Sequence, residues 1–198
     1  MNTDVPRQLT PEDPTPPVNP RIPAGTGPFA MATEPSGKLY IANTGSNDVT
    51  VIDSSDNAVT TTLAAGIGPS AVAVAPNGNV YVTNTGSNDV TVIDSSDNTV
   101  TTTVPAGTGP SAVAVAPNGN VYVTNTGSND VTVIDSSDNT VTTTLAAGTG
   151  PYAVKVAPNG NVYVTNFASN DVSVFLPTAT HAAGVAPPAD GDSEQQAP

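Results

Sequence analysis

The feature that most constrains this chain is a repeat. The segment Gly109 to Asn125 (GPSAVAVAPNGNVYVTN) occurs with the same letters 41 residues earlier from Gly68, more loosely from Gly27, and again from Gly150. A fixed period in this range means that each copy is one supersecondary unit, which buries its faces only by stacking on its neighbours. The repeats run from residue 27 to about 176 and read as a single domain within residues 19–176. Residues 1–18, with Pro6, Pro11, Pro14, Pro16 and Pro17, read as a disordered Pro-rich arm, and residues 177–198 as a disordered acidic tail.

One copy divides into four short strands. Ala71–Ala75 is an apolar run ended by Pro76-Asn77-Gly78, and its Asn-Gly pair is a hairpin signal. Val80-Tyr81-Val82-Thr83 follows, then a reversal at Asn84-Thr85-Gly86-Ser87-Asn88-Asp89, then Val90-Thr91-Val92-Ile93. Asp94-Ser95-Ser96-Asp97-Asn98 turns the chain into a Thr-rich fourth strand, Thr99–Val104. With no Trp, three Phe and five Tyr, the core must come from Val, Ile, Ala and Thr, which suits closely spaced sheets. The Ala/Val strand fits a crowded inner position and the Thr-rich strand a solvated outer one. The expected fold is therefore an all-β propeller of four four-stranded blades; a β-solenoid fits a 41-residue, four-strand unit less well.

Tyr81-Val82-Thr83-Asn84, Tyr122-Val123-Thr124-Asn125 and Tyr163-Val164-Thr165-Asn166 resemble the YVTN-type β-propeller repeats of bacterial and archaeal surface-layer-like proteins. The first copy departs from that pattern, with Tyr40-Ile41-Ala42-Asn43. The resemblance implies a propeller and an extracellular or cell-surface setting, and it leaves activity open because such repeats serve several functions. Residues 1–20 show no signal-peptide pattern, and no run is long enough to span a membrane.

The fourth copy stops after Val172-Ser173-Val174-Phe175, without the last turn and strand, while Ile22–Gly27 matches Val104–Gly109. This predicts that residues 19–22 supply the missing outer strand beside Val174 and close a four-bladed monomeric ring. Pro20 and Pro23 are tolerable there because an outermost strand has a free edge. The rival is an open arc that dimerises into an eight-bladed ring.

The net charge of −13, with four Lys and Arg against 17 acids, excludes a nucleic-acid partner. Zero Cys excludes thiolate chemistry, and the single His181, out in the tail, excludes a His-based triad or multi-His metal site in the repeats. Three pairs of aspartates, Asp53 and Asp56, Asp94 and Asp97, Asp135 and Asp138, offer oxygen ligands for Ca²⁺. They lack the alternating order and Gly of an EF-hand loop, and plain turns are the expected role. Asn43, Asn84, Asn125 and Asn166 recur where the face of a propeller binds ligands. Each either caps its own turn or joins a ring of amides for a polar ligand or glycan.

The second and third copies differ only at Val104/Leu145 and Pro105/Ala146, so their sites are equivalent, whereas catalysis needs unlike groups. Symmetry breaks at Phe29, Met31, Thr33, Glu34 and Lys38 in the first copy and at Tyr152, Lys155, Phe167 and Ala168 in the fourth. Glu34 and Lys155 at that seam are further candidate binding residues: Lys155, on an inner strand, either reaches the channel or, as expected, pairs with Glu34. The expectation is a non-enzymatic module without cofactor, presenting polar loops to a protein or glycan partner. The alternatives are a small lactonase- or lyase-like metal-dependent propeller enzyme, or a spacer from a longer repeat protein.

Overall fold

The computed structural model describes residues 21–177, which form fifteen strands in four antiparallel sheets. Each sheet is a meander in chain order. Sheet 1 holds β1 (Pro28–Thr33), β2 (Lys38–Asn43), β3 (Asp48–Asp53) and β4 (Ala58–Ala64). Sheet 2 holds β5 (Pro69–Val74), β6 (Asn79–Asn84), β7 (Asp89–Asp94) and β8 (Thr99–Pro105). Sheet 3 holds β9 (Pro110–Val115), β10 (Asn120–Asn125), β11 (Asp130–Asp135) and β12 (Thr140–Ala146). Sheet 4 has three strands, β13 (Pro151–Val156), β14 (Val162–Asn166) and β15 (Asp171–Phe175).

The turns follow from their residues. In the Asn77-Gly78 hairpin, Gly78 N–H donates to Ala75 O (3.0 Å) and Ala75 N–H to Asn79 O (2.8 Å). Gly78 sits at φ 90°, which a side chain disfavours. The other two reversals place Asn88 and Asn98 in the left-handed region at φ 61° and 56°, where Asn is the best-tolerated non-glycine residue.

The sheets stack face to face. The first strands lie side by side, β1 on β5, β5 on β9 and β9 on β13, as the small Ala and Val side chains allow. The Thr-rich strands β4, β8 and β12 are mostly exposed on the outside. Three apolar clusters join consecutive sheets. Tyr40, Val49 and Val51 meet Val80, Val82 and Ile93, and Tyr81, Val90 and Val92 meet Val121, Val123 and Ile134. Tyr122, Val131 and Val133 meet Val154, Val162 and Val164. Central strands thus use both faces, which explains why β6 and β10 are apolar at consecutive positions.

Closure by the N-terminal strand is not seen. Ile22 lies outside any strand, and β15 has no partner on its outer edge among the described residues. No apolar cluster among those residues joins sheet 4 to sheet 1. The match between Ile22–Gly27 and Val104–Gly109 holds for the connection, and residues 19 and 20 of the expected strand lie outside the described residues. A groove of about 540 Å³ runs over Tyr122, Leu145 and Phe175. The arm at 1–18 and the tail beyond 177 lie outside the described residues.

Candidate functional site

The β2–β3 turn and the connection entering the same sheet share one end of the stack. In sheet 2 the equivalent pairing has Thr85 N–H donating to Gly68 O (3.0 Å) and Gly86 N–H to Ile67 O (2.8 Å), and the other sheets repeat it. Beneath each such turn lies one of the four repeated asparagines. Asn84 is fully buried, and its Nδ2 donates to Asp89 Oδ1 (2.7 Å) and Thr91 Oγ1 (2.8 Å). Asn43 and Asn125 do the same with Asp48/Thr50 and Asp130/Thr132, and Asn166 with Asp171/Ser173. Their four Oδ1 atoms are buried without a hydrogen-bond partner. The incoming chain presses against this network. A Cβ on Gly148 would lie 2.5 Å from Asn166 Nδ2 and 2.6 Å from Asp171 Oδ1.

Nearer the axis, hydroxyls stitch one sheet to the next. Ser70 Oγ lies 3.0 Å from Thr83 Oγ1 and 2.8 Å from Thr85 Oγ1, while the Thr85 hydroxyl donates to Pro110 O (2.7 Å). Ser111 and Thr126 repeat this against Pro151 and Tyr152. The ends of the repeat replace hydroxyls with aromatics. Phe29 and Tyr152 stand where Ser70 and Ser111 stand in the inner copies, and Phe167 stands where Thr85 and Thr126 stand. All three are exposed, Phe167 by 80%. Phe29, Tyr152, Ser70, Ser111, Thr85 and Thr126 line one cavity of about 430 Å³ fed by all four first strands. Tyr152, Thr165 and Phe167 line a second, of about 460 Å³. A pocket of aromatic faces with convergent hydroxyls is suited to a ligand with both apolar and hydroxylated surface.

Glu34 and Lys155 do not meet among the described contacts. Glu34 accepts from the hydroxyls of Ser36 and Ser95, and Lys155 is exposed. Lys38 instead donates to the carbonyl of Ser95 on the next sheet.

The Ca²⁺ candidates are not gathered into a metal site. Among the described residues no group of three or more His, Cys, Asp or Glu is placed to hold a metal ion. Instead each carboxylate closes its own β3–β4-type turn. Asp53 Oδ1 accepts from Ser55 N–H (2.8 Å) and Asp56 Oδ1 from Ala58 N–H (2.9 Å). Asp94 accepts from Ser96 N–H (2.8 Å), and Asp97 from Thr99 N–H (3.1 Å) and Thr99 Oγ1 (2.8 Å). Asp135 accepts from Ser137 N–H (2.8 Å) and Ser137 Oγ (2.7 Å). Asp138 accepts from Thr140 N–H (3.0 Å) and Thr140 Oγ1 (2.7 Å). In the sequence Asp138 stands as a Ca²⁺ ligand candidate beside Asp135; in the structure it is a turn acceptor, because the N–H two residues on is its nearest donor. Hydrogen bonds from Ser55, Ser96 and Ser137 hold the carboxyls of Asp53, Asp94 and Asp135 below the usual value. Burial, with the charges of Glu34 and Asp94, pushes the Tyr40 phenol up to about 12.

Solved structures share this architecture. Hydrazine synthase of Kuenenia stuttgartiensis is 26% identical with a TM-score of 0.66, over 76% of this chain and 49% of that one. Catalytically inactive virginiamycin B lyase of Staphylococcus aureus, a histidine-to-alanine variant solved with quinupristin, is 19% identical with a TM-score of 0.64, over 80% and 58%. A 6-phosphogluconolactonase-like protein of Bacteroides uniformis is 17% identical with a TM-score of 0.68, over 77% and 51%. The chain thus spans about half the length of these structures. No curated protein matches it. What the comparisons share with the YVTN-type expectation is the propeller repeat itself. Residues 20–183 match the model of the virginiamycin B lyase family, and the chain belongs to that family.

Proposed function

We propose that this chain is a non-catalytic propeller module that recognises a glycan through the aromatic cavity at its axis. The observation that carries this reading is the exposure of Phe29, Tyr152 and Phe167 beside a cavity otherwise lined by Ser and Thr hydroxyls. Aromatic faces stack on the C–H surface of a sugar ring, and hydroxyls exchange hydrogen bonds with its edges. The described lining holds no His, Lys or carboxylate to act as acid, base or nucleophile. Asn43, Asn84, Asn125 and Asn166 support the floor of this face, since their Nδ2 groups already donate within the turn.

The test is a glycan array followed by titration calorimetry on the strongest hit. Tyr152→Ala and Phe167→Ala should each weaken binding about tenfold, the loss of roughly 1.4 kcal/mol. A hit that both variants bind as well as the parent, or an array with no hit, overturns the reading. Family membership keeps a second reading in play, a metal-dependent lyase- or lactonase-like enzyme. It requires catalytic groups at the same axial face, and it is separated from the first by turnover.

A further inference from the structure

Asn-Gly occurs at Asn77, Asn118 and Asn159, each time inside the same Ala-Pro-Asn-Gly-Asn-Val stretch. Glycine has no Cβ to shield its amide nitrogen, so that nitrogen can close on the carbonyl of the asparagine side chain before it. The three copies share one local geometry. All three asparagines are exposed, and each Oδ1 accepts from the N–H two residues on at 3.1 Å. Gly78, Gly119 and Gly160 lie at φ 90°, 89° and 85°. Their N–H groups donate to Ala75, Ala116 and Ala157 O at 3.0, 2.9 and 2.8 Å. What separates the three hairpins is how firmly each is held from outside.

The Asn77 hairpin is tied to the next sheet and to its own. Asn77 Nδ2 donates to Ser136 O (2.7 Å), and Asn79 Nδ2 to Ser136 O (3.3 Å) and Asn139 Oδ1 (3.4 Å). Within sheet 2, Ser95 N–H donates to Gly78 O (3.3 Å). The Asn118 hairpin keeps only the second kind of tie, from Ser136 N–H to Gly119 O (3.2 Å). Among the described residues, Asn118 Nδ2 has no hydrogen-bond acceptor on sheet 4. The Asn159 hairpin has neither tie among those residues. Pro177 stands where Ser95 and Ser136 stand in the inner copies, and it has no N–H to offer Gly160 O. Strand β14 accordingly starts at Val162, one repeat position later than β6 at Asn79 and β10 at Asn120.

We propose that Asn159-Gly160 is a site of spontaneous deamidation, with Asn118 reacting next and Asn77 held back. Gly160 N bonds to Asn159 Cγ, the Cγ–Nδ2 bond breaks, and the Gly160 amide proton leaves with the side-chain nitrogen as ammonia. Water then opens the succinimide ring at either carbonyl and gives aspartate or isoaspartate. Ring closure needs the glycine N–H to leave its alanine carbonyl and the asparagine side chain to swing onto the nitrogen. A hairpin tied from outside resists both motions. Asn77 must also give up its bond to Ser136 O, which slows it about fivefold. The new carboxylate adds to a net charge of −13. It appears at the far end of β13 from the cavity at Tyr152.

The experiment incubates the full chain at mildly alkaline pH and samples it over time. Cleavage before aspartate yields fragments 56–88, 97–129 and 138–170, which differ in sequence and carry one Asn-Gly each. Mass spectrometry reads each conversion as a mass gain or as a cut at the new aspartate. The expected order is Asn159, then Asn118, then Asn77, with Asn77 about fivefold slower than Asn118. In urea that unfolds the chain the three rates should converge, because the flanking residues are the same. Any other order in the folded chain, no conversion at Asn159, or the same spread of rates in urea overturns the proposal.

Discussion

Gly150 N–H donates to Asn129 Oδ1 at 2.8 Å, and this bond ties the first strand of sheet 4 to the turn of sheet 3. It depends on Asn129 holding φ 62°, a conformation that the Asn side chain tolerates and most others resist. Asn88 does the same one repeat earlier. Asn88→Ala loses the bond and strains the turn, and should cost about 2 kcal/mol. Asn88→Gly keeps the turn and should cost about 1 kcal/mol. Urea melts of the two variants against the parent read the difference.

The Asn84 network should be more sensitive than its size suggests. Asn84→Ala leaves Asp89 and Thr91 without their buried donor, an expected loss of about 1–3 kcal/mol. Gly148→Ala should cost a similar amount, about 1–3 kcal/mol, because the added methyl meets Asn166 and Asp171 at sub-contact distance. Thermal melts check both.

Much of this was legible in the letters. The period points to the four-sheet stack, the Ala/Val and Thr-rich runs to inner and outer strands, and Asn-Gly to the hairpins. The aromatic departures at Phe29, Tyr152 and Phe167 were visible as broken symmetry, but not that the first and second share one cavity. That depends on how far the stack curls, which no single repeat encodes. Closure is not seen among the described residues. Ile22–Gly27 copies a connection, and a copied connection docks on its own sheet wherever the preceding strand comes from. The Glu34–Lys155 pair failed because Glu34 finds nearer hydroxyl donors on Ser36 and Ser95. For Asp135 and Asp138 the letters admit a Ca²⁺ ligand but favour a turn acceptor. Only the placed backbone distinguishes them, by bringing Ser137 and Thr140 N–H onto the two carboxylates.

Stability should fall at acid pH. The carboxyls of Asp53 and Asp94 are lowered chiefly by the Ser55 and Ser96 hydroxyls, and that of Asp135 by the Ser137 N–H. A lowered folded value means a contribution fully present above the unfolded carboxylate value of about 3.9 and lost as pH falls through the folded value. Melting temperature should hold from neutral pH to about 4 and decline below it. Asp94→Asn should shrink the decline.

At the alkaline end the buried Tyr40 phenol sets the limit. Its folded value of about 12 exceeds the ordinary 10.0, so its contribution is intact below pH 10.0 and lost as pH rises toward 12. Ultraviolet tyrosinate titration should show a delayed component that Tyr40→Phe removes.

The claim that this family member is non-catalytic is tested most directly with quinupristin, the compound solved with the inactive S. aureus lyase. The purified chain is incubated with it, with and without divalent cations, and the mixture is followed by chromatography with tandem mass spectrometry. The account predicts unchanged quinupristin under both conditions. A converted product that accumulates in proportion to protein and saturates with quinupristin would contradict it.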